Sequence, residues 1–275
     1  MTTLRQTIVI SGGSSGIGLD LAKAYAALGA NIILLARNAN RLQQALDACE
    51  VLRQSTEQQF LARSVDVADR TRLQECVAEL GDQLPAPDIV ILSAGVVASE
   101  RFTEQSDDSF DSIMQINVMG ARAVARAFLP AMIAQGHGQL CFVSSLGGLI
   151  ATYGYSAYSA SKFAVVGMAS ALRQELDGSG VSVTLLCPPE VDTPMVAKES
   201  EHILPQTRFI KDVGGTLDVA TVTKATLKGI ERRQFIVIPG TMARLSYWQS
   251  RWFPGLFNAF LLLLVRIANR KQGKS

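Results

Sequence analysis

Within the stretch SAYSASKFA, residues 156–164, two side chains could do acid–base chemistry together: Tyr158 and Lys162. Most of their neighbours there are small or apolar. In an α-helix, residues at i and i+4 stack on one face about 5.4 Å apart along the axis, so the phenol and the ammonium would share one environment. A free phenol titrates near about 10, and a cation within about 4–6 Å favours phenolate and lowers that value. Such a pair could give or take a proton near neutral pH. Spacing alone leaves open a plainer arrangement, in which Tyr158 packs in a core and Lys162 extends to water.

A second candidate is SGGSSGIG, residues 11–18, with glycines at 12, 13, 16 and 18. Glycine lets the backbone approach a pyrophosphate closely, and the free N–H groups at a helix start attract its charge. The spacing Gly12-x-x-x-Gly16-x-Gly18 differs from the common dinucleotide fingerprint, so its weight comes from lying between a first strand and a first helix. A third candidate is Ala36-Arg37-Asn38, followed by Arg41. No carboxylate is present there to bind ribose hydroxyls and repel a 2′-phosphate, and Arg37 is placed to pair with phosphate. The expectation is NADPH/NADP in preference to NADH. The alternative is that Arg37 is a solvated strand end.

These residues need elements to position them. Short apolar runs at 7–12, 31–37, 62–67, 88–95, 138–145, 181–189 and 234–240 alternate with segments of helical periodicity, including 218–232. Continuous rather than alternating apolar strands indicate a sheet covered on both faces, and β-α-β order demands right-handed crossovers between parallel strands. The fold class is therefore α/β, a doubly wound parallel sheet of about seven strands. Ligands of such sheets bind at the carboxyl ends of the strands, where Tyr158 and Lys162 fall on a helix starting near Tyr155.

Composition narrows the function classes. The 275 residues are 48% hydrophobic and 18% charged, which supplies a core and gives no sign of disorder. A net charge of +2 without aromatic and basic interleaving argues against nucleic acid. Cys49, Cys76, Cys141 and Cys187 are scattered, as expected for buried free thiols in a reducing compartment, and no metal site is expected. His137 and His202 have no companions suggestive of a triad and are expected in surface loops. The N-terminus has no signal-peptide pattern, so a cytoplasmic protein is expected.

Taken as a set, the glycine turn, Asp66-Val67, Ser93-Ala94-Gly95, Asn117, Ser145 and Tyr158-x-x-x-Lys162 resemble the short-chain dehydrogenase/reductase family over roughly residues 5–240. The resemblance implies a Rossmann-type fold and a nicotinamide cofactor. It implies Tyr158 as general acid/base, Lys162 as the residue that lowers its pKa and binds the nicotinamide ribose, and Ser145 as the group polarising the substrate oxygen, with Ser144 the weaker candidate. Asn117 would orient Lys162 through a water. Gly12, Ser14, Ser15, Gly16, Ile17 and Gly18 would surround phosphates and ribose, Asp66 and Val67 the adenine, and Pro188, Val191 and Thr193 the nicotinamide. Ser93 departs from the Asn common in the family, which puts local stability rather than chemistry in doubt.

The segments LLARNANRL (34–42), SVDVAD (64–69) and CPPEVDTP (187–194), the last with Pro188-Pro189 where most relatives carry Pro-Gly, are similar to a subgroup, the 3-ketodihydrosphingosine reductases. That implies reduction of 3-oxosphinganine; a 3-oxoacyl thioester, steroid or retinoid ketone remains open, as does a non-catalytic NADP-binding scaffold. Residues 1–240 are expected to form one catalytic domain, with a mixed segment at about 195–212 reading as a lid loop whose Met195, Val196, Ile203 and Leu204 could touch an acyl chain. The remaining 241–275 carry an apolar run from about Trp252 to Ile267, broken by Asn258 and Arg266 and followed by Arg270, Lys271 and Lys274. At this length it suits a helix lying in a membrane interface, through 248–274, rather than one crossing it. Packing over the substrate cleft or on a dimer partner is the alternative. The family resemblance also implies a homo-oligomer.

Overall fold

The computed structural model describes residues 5–272, so Lys274 lies outside the described residues. The chain alternates β1 (Thr7–Ser11), α1 (Gly16–Ala27), β2 (Asn31–Ala36), α2 (Ala39–Glu50), β3 (Phe60–Ser64), α3 (Arg70–Gly81) and β4 (Ile89–Leu92). It continues with α4 (Asp107–Met114), α5 (Ala121–Gln135), β5 (Gly138–Val143), α6 (Ser156–Glu175) and β6 (Val181–Leu186). The last and longest crossover of the sheet then carries β7 (Glu190–Val191), α7 (Pro194–Ser200), α8 (Pro205–Gly214), β8 (Thr216–Leu217) and α9 (Val219–Glu231) before β9 (Ile236–Val237). Last come α10 (Thr241–Trp252) and α11 (Pro254–Gln272).

Seven strands pair in the order β3-β2-β1-β4-β5-β6-β9, all parallel. Alternate residues of each strand feed opposite cores, as the period-2 geometry of a strand requires. Val9, Ile33 and Leu35 pack with Leu73 and Cys76 of α3, Val124 and Phe128 of α5, and Val165 of α6. Ile8, Ile10, Ile32 and Leu34 pack on the other face with Leu21 and Tyr25 of α1, Leu42 of α2 and Val222 of α9. Both faces being buried explains why the strands read as unbroken apolar runs. The sequence-derived α/β doubly wound class matches this architecture. All four cysteines are free and buried.

Several boundaries differ from those read in the sequence. β3 is Phe60–Ser64, not 62–67, because Phe60 registers with Ile32 and Ser64 with Ala36, so Asp66 and Val67 fall beyond the strand. β4 stops at Leu92, β5 at Val143, and the last strand has only Ile236 and Val237. The short parallel pair β7–β8 was not foreseen. The segment 195–212 is two helices rather than a loop: Thr193 caps α7 by accepting from Val196 N at 3.4 Å, and prolines at 194 and 205 open both helices. Proline suits a helix's first position, where its missing N–H is not needed. The apolar run of the C-terminus is divided after Phe253 by Pro254, which starts α11, and α11 runs on through Asn258 and Arg266.

Candidate active site

The carboxyl ends of β1, β4, β5 and β6 open into one cavity of about 1210 Å³. Tyr158 and Lys162 face it from the first turns of α6, and Ser145 from just beyond β5. Lys162 does not extend to water. It is 6% exposed, donates to Val143 O at 3.0 Å and lies with Nζ 5.7 Å from the Tyr158 ring centre. Ser144 and Ser145 are separated by their partners: the buried Ser144 hydroxyl donates to Lys162 O at 3.0 Å, whereas Ser145 accepts from Gly147 N at 3.0 Å and bonds Tyr158.

Burial sets the proton affinities. It pushes the Tyr158 phenol up to about 12, against the opposing hydrogen bond of Ser145. The lowered phenol expected from the Tyr-Lys spacing is therefore not what the protein alone produces. Burial also lowers Lys162 to about 8, so the desolvated ammonium is itself held less firmly than usual. Both shifts have one leading cause, the desolvation of the charged form.

Asn117 does not line the cavity; it sits 1% exposed behind it. Its side chain brackets the backbone of Val96, accepting from the N–H at 2.8 Å and donating to the carbonyl at 2.9 Å, and donates to Ser161 Oγ at 2.9 Å. Asn117 lies on a π-helical turn, Gln115–Gly120, joining α4 to α5. Such turns are rare and concentrate at functional sites. A Cβ on Gly95 would stand 3.2 Å from Asn117 Oδ1 and 3.6 Å from Lys162 Nζ, so glycine there lets the two side chains approach each other.

The residues expected around a dinucleotide lie along the rim at β1, β2 and β4. Gly12, Ser14, Ser15, Gly16, Ile17, Arg37, Arg41, Asp66, Val67, Ser93, Ala94 and Gly95 all line the cavity, with Pro188, Val191 and Thr193 across from them. Gly12 has φ +70° and an added Cβ would fall 2.6 Å from Ala94 N, so the turn closes against β4 only with glycine. Ser15 at the N-cap of α1 makes no side-chain cap, which leaves the first N–H groups of the helix available to an anion. Gly18 is a correction. It is buried away from the cavity, where a Cβ would meet Gly12 O at 2.4 Å, so it packs the helix onto the turn.

At the end of β2, Arg37 is exposed and lies 3.8 Å from Asp66. Asp66 Oδ1 also accepts from Ala68 N at 2.9 Å, fixing the turn after β3. Asn38 caps α2 by accepting from Arg41 N at 2.9 Å.

The opposite rim was the least legible. Met195 and Val196 of α7 line the cavity as expected, but Ile203 and Leu204 do not; Leu204 N donates instead to Ser99 Oγ at 3.3 Å at the start of α8. Ile210 and Val213 of α8, Met242 and Leu245 of α10, and Phe257 and Leu264 of α11 complete an apolar wall. α11 is pinned to α8 by Gln206 donating to Asn269 at 2.8 Å and by Lys271 over the Phe209 ring at 4.7 Å. His202 is exposed at the cavity edge and exposed His137 lies 3.3 Å from Asp88. The same rim also carries an ionic cluster, its Glu190, Glu199 and Lys211 lining the cavity; sequence reading missed it because these members are 12 and 21 residues apart on separate elements. Glu190 pairs with Arg208 at 2.8 Å and with Lys211 at 2.5 Å, and Lys211 pairs with Glu199 at 2.8 Å. Burial raises the Glu190 carboxyl, but bonds from Arg208, Lys211 and Thr216 outweigh it and hold the group at about 2.

Comparison with known proteins agrees with this arrangement. Residues 6–204 match the short chain dehydrogenase family. The 3-dehydrosphinganine reductase of Danio rerio is 34% identical over 229 residues, 83% of this chain and 69% of that one. The 3-dehydrosphinganine reductase TSC10B of Arabidopsis thaliana is 35% identical over 84% of this chain and 68% of its own. Among solved structures, the apo form of LigD from Sphingobium sp. strain SYK-6 superposes with a TM-score of 0.75 at 26% identity, covering 89% and 93% of the two chains. With the glycine turn closed on β4, and a tyrosine, a serine and a buried lysine lining the cavity at the strand ends, the chain belongs to the short-chain dehydrogenase/reductase family of nicotinamide-dependent oxidoreductases.

Proposed function

We propose that the protein is an NADPH-dependent reductase that converts 3-oxosphinganine to sphinganine. The observation that carries this reading is the lining of the cavity at the strand ends. Ser145, Tyr158 and Lys162 meet at its polar centre, and an apolar wall from α7, α8, α10 and α11 leads away from them, as a ketone on a long alkyl chain requires. The relatives named 3-dehydrosphinganine reductase support the same substrate.

Gly12, Ser14, Ser15, Gly16 and Ile17 would hold the dinucleotide's phosphates, Arg37 and Arg41 its 2′-phosphate, and Pro188 and Thr193 the ring end. When bound, the reduced nicotinamide supplies the hydride that the carbonyl carbon accepts. Ser145 holds the carbonyl oxygen with its hydroxyl. Tyr158 gives that oxygen its proton, and the phenolate left behind faces the Lys162 ammonium until a proton returns from solvent. Asn117 keeps the Val96 backbone in place beside Gly95, so that Lys162 has one position.

The C-terminal hairpin would lie on a membrane surface, where such a lipid resides. Trp248, Trp252, Phe253, Leu256, Leu262 and Leu263 are exposed on α10, α11 and their junction. After Glu231 the sequence holds eight of the 26 basic residues and none of the 24 acidic ones, five of the eight in α10 and α11, so this segment is cationic while residues 1–231 are net acidic. That partition suits anionic headgroups. The 107–135 stretch is long and apolar enough to span a bilayer, but its Val124, Phe128 and Met132 lie in the core.

The test is NADPH oxidation by purified protein with 3-oxosphinganine in detergent micelles, beside NADH and beside a 3-oxoacyl thioester, a steroid ketone and retinal. Selective turnover of 3-oxosphinganine with NADPH is expected. Turnover of another ketone alone would keep the catalytic residues and remove the sphingolipid assignment.

A further inference from the structure

Tyr155, the residue immediately before α6, has contacts that acid–base chemistry at Tyr158 does not account for. Its ring lies 5.3 Å from the Tyr158 ring, tilted by 55°. On its other side Lys211 Nζ sits 5.7 Å from the Tyr155 ring centre and donates to the phenol oxygen at 3.0 Å. The Tyr155 hydroxyl in turn donates to Glu199 Oε1, and Lys211 donates to Glu199 Oε2 at 2.8 Å. Glu199 belongs to α7 and Lys211 to α8. One buried phenol therefore touches the proposed acid on one side and both helices of the apolar wall on the other.

A second set of bonds runs in parallel. Thr207 of α8 donates to Tyr153 O at 2.8 Å, and Ser99 Oγ donates to Thr207 Oγ1 at 3.0 Å. The turn leading into α6 is thus fastened to α8 at two points. Both helices line the same cavity as Tyr158, so their seating bears on the surroundings of that phenol.

We infer that Tyr155 is a positioning residue for Tyr158, and that the Glu199–Lys211 pair links it to α7 and α8 so that the catalytic phenol is held in register only while both helices are seated over the cavity. This rests on the assignment of Tyr158 as proton donor. The ring contact alone would buttress Tyr158; the bonds to Glu199 and Lys211 make that buttress depend on the helices. The Glu199 charge is also near enough to oppose ionisation of Tyr158, which keeps the phenol protonated before transfer.

Tyr155→Phe keeps the ring and removes the hydroxyl, and Glu199→Gln keeps the shape and removes the charge. Misplacing a reacting group by a fraction of an ångström to about 1 Å costs up to about 10²-fold in rate. Each variant is expected to lose about tenfold in kcat with little change in KM for NADPH, and to show a larger solvent deuterium isotope effect, because proton transfer from a misplaced phenol becomes rate-limiting. The Tyr155→Phe/Glu199→Gln double variant should lose clearly less than the two single losses combined, since both disturb the one Tyr155–Glu199–Lys211 network. Wild-type kcat and isotope effect in Tyr155→Phe, or additive losses in the double variant, would overturn the inference. Melting temperatures and NADPH binding identify a variant that is simply unfolded, in which case the other single variant decides by the same two readouts. A Tyr158→Phe control that retains turnover would sink the acid assignment instead, and with it this inference, by a different signature.

Discussion

The two rims of the cavity that flank Tyr158 are built by different means. The rim at β1, β2 and β4 is made of backbone. Gly12 has no room for a Cβ beside Ala94, and the uncapped start of α1 presents N–H groups. The rim of α7, α8, α10 and α11 is made of side chains: Met195, Ile210, Phe257 and Leu264 line the cavity together with Glu190, Glu199 and Lys211, which are ion-paired to one another and to Arg208. Backbone geometry tolerates almost no substitution but recognises a group common to many enzymes. A packed wall tolerates many substitutions and can be shaped to one substrate.

The largest effect should come where the rims meet. Tyr158→Phe is expected to lower kcat by at least about 10³-fold, within the range ascribed to general acid–base groups, while NADPH binding and melting temperature stay near wild type. Steady-state kinetics with fluorescence titration of NADPH checks both halves. The pH profile carries a related expectation. Lys162 is lowered from 10.5 to about 8 by burial, so its ammonium is lost as pH rises through 8. kcat should fall about tenfold per unit above that point, and a limb beginning only near 10 would show that Lys162 is not desolvated. For stability the sign is opposite. A lysine whose folded pKa is lowered costs the fold most below pH 8, and that cost fades between pH 8 and 10.5.

Next in size is Gly12→Ala. The φ of +70° and the 2.6 Å approach to Ala94 N leave the new methyl group nowhere to go, so the turn must move. A loss on the order of 1–3 kcal/mol in stability is expected from the backbone strain alone, with NADPH binding weakened about tenfold or more. Gly255→Ala, with open space around it, is the control on the other rim and should change neither. Equal effects at the two glycines would erase the distinction between a backbone rim and a side-chain rim.

That distinction also explains what could be read in advance. Backbone requirements leave marks of residue type at fixed spacing, so the glycine turn, Ser145, Tyr158 and Lys162 were visible in the sequence, as was the seven-stranded sheet through its unbroken apolar runs. Asp66 and Val67 were found but placed on a strand that ends at Ser64, because an apolar run does not reveal its register. Gly18 was given to the cofactor when its neighbour is Gly12 O, a contact between residues whose spacing alone cannot say which side they face. The wall left no such marks. Residues 195–212 mix charged and apolar types over helices of seven and ten residues, too short for periodicity to stand out, and the Glu190–Lys211–Glu199 cluster exists only once β7, α7 and α8 come together.

Arg37→Ala sharpens the comparison at the edge of the backbone rim, where recognition passes to a side chain. Arg37 is exposed and only loosely paired with Asp66, so it is free to turn to a 2′-phosphate, and its loss removes a charge-assisted contact without disturbing the turn. NADPH affinity should fall about tenfold, with NADH nearly unchanged, as read by competitive titration of the two cofactors. Equal weakening of both would place Arg37 outside the 2′-phosphate site and leave Arg41 as the remaining candidate.

The smallest effect tests the wall itself. Leu264 is 7% exposed on α11, facing the cavity beside Phe257. Leu264→Ala removes part of the surface an alkyl chain would cover, and at about 25 cal/mol per Å² of apolar area a contact of roughly 15 Å² amounts to about 0.4 kcal/mol, or at most about twofold in KM. The change should grow with chain length. A ketone long enough to reach α11 loses this contact, whereas one of three or four carbons never makes it, and kcat should be the same for both because nothing at Tyr158 has moved. A uniform loss across chain lengths would mean that α11 supports the fold without touching substrate, and the apolar wall would then end at α8.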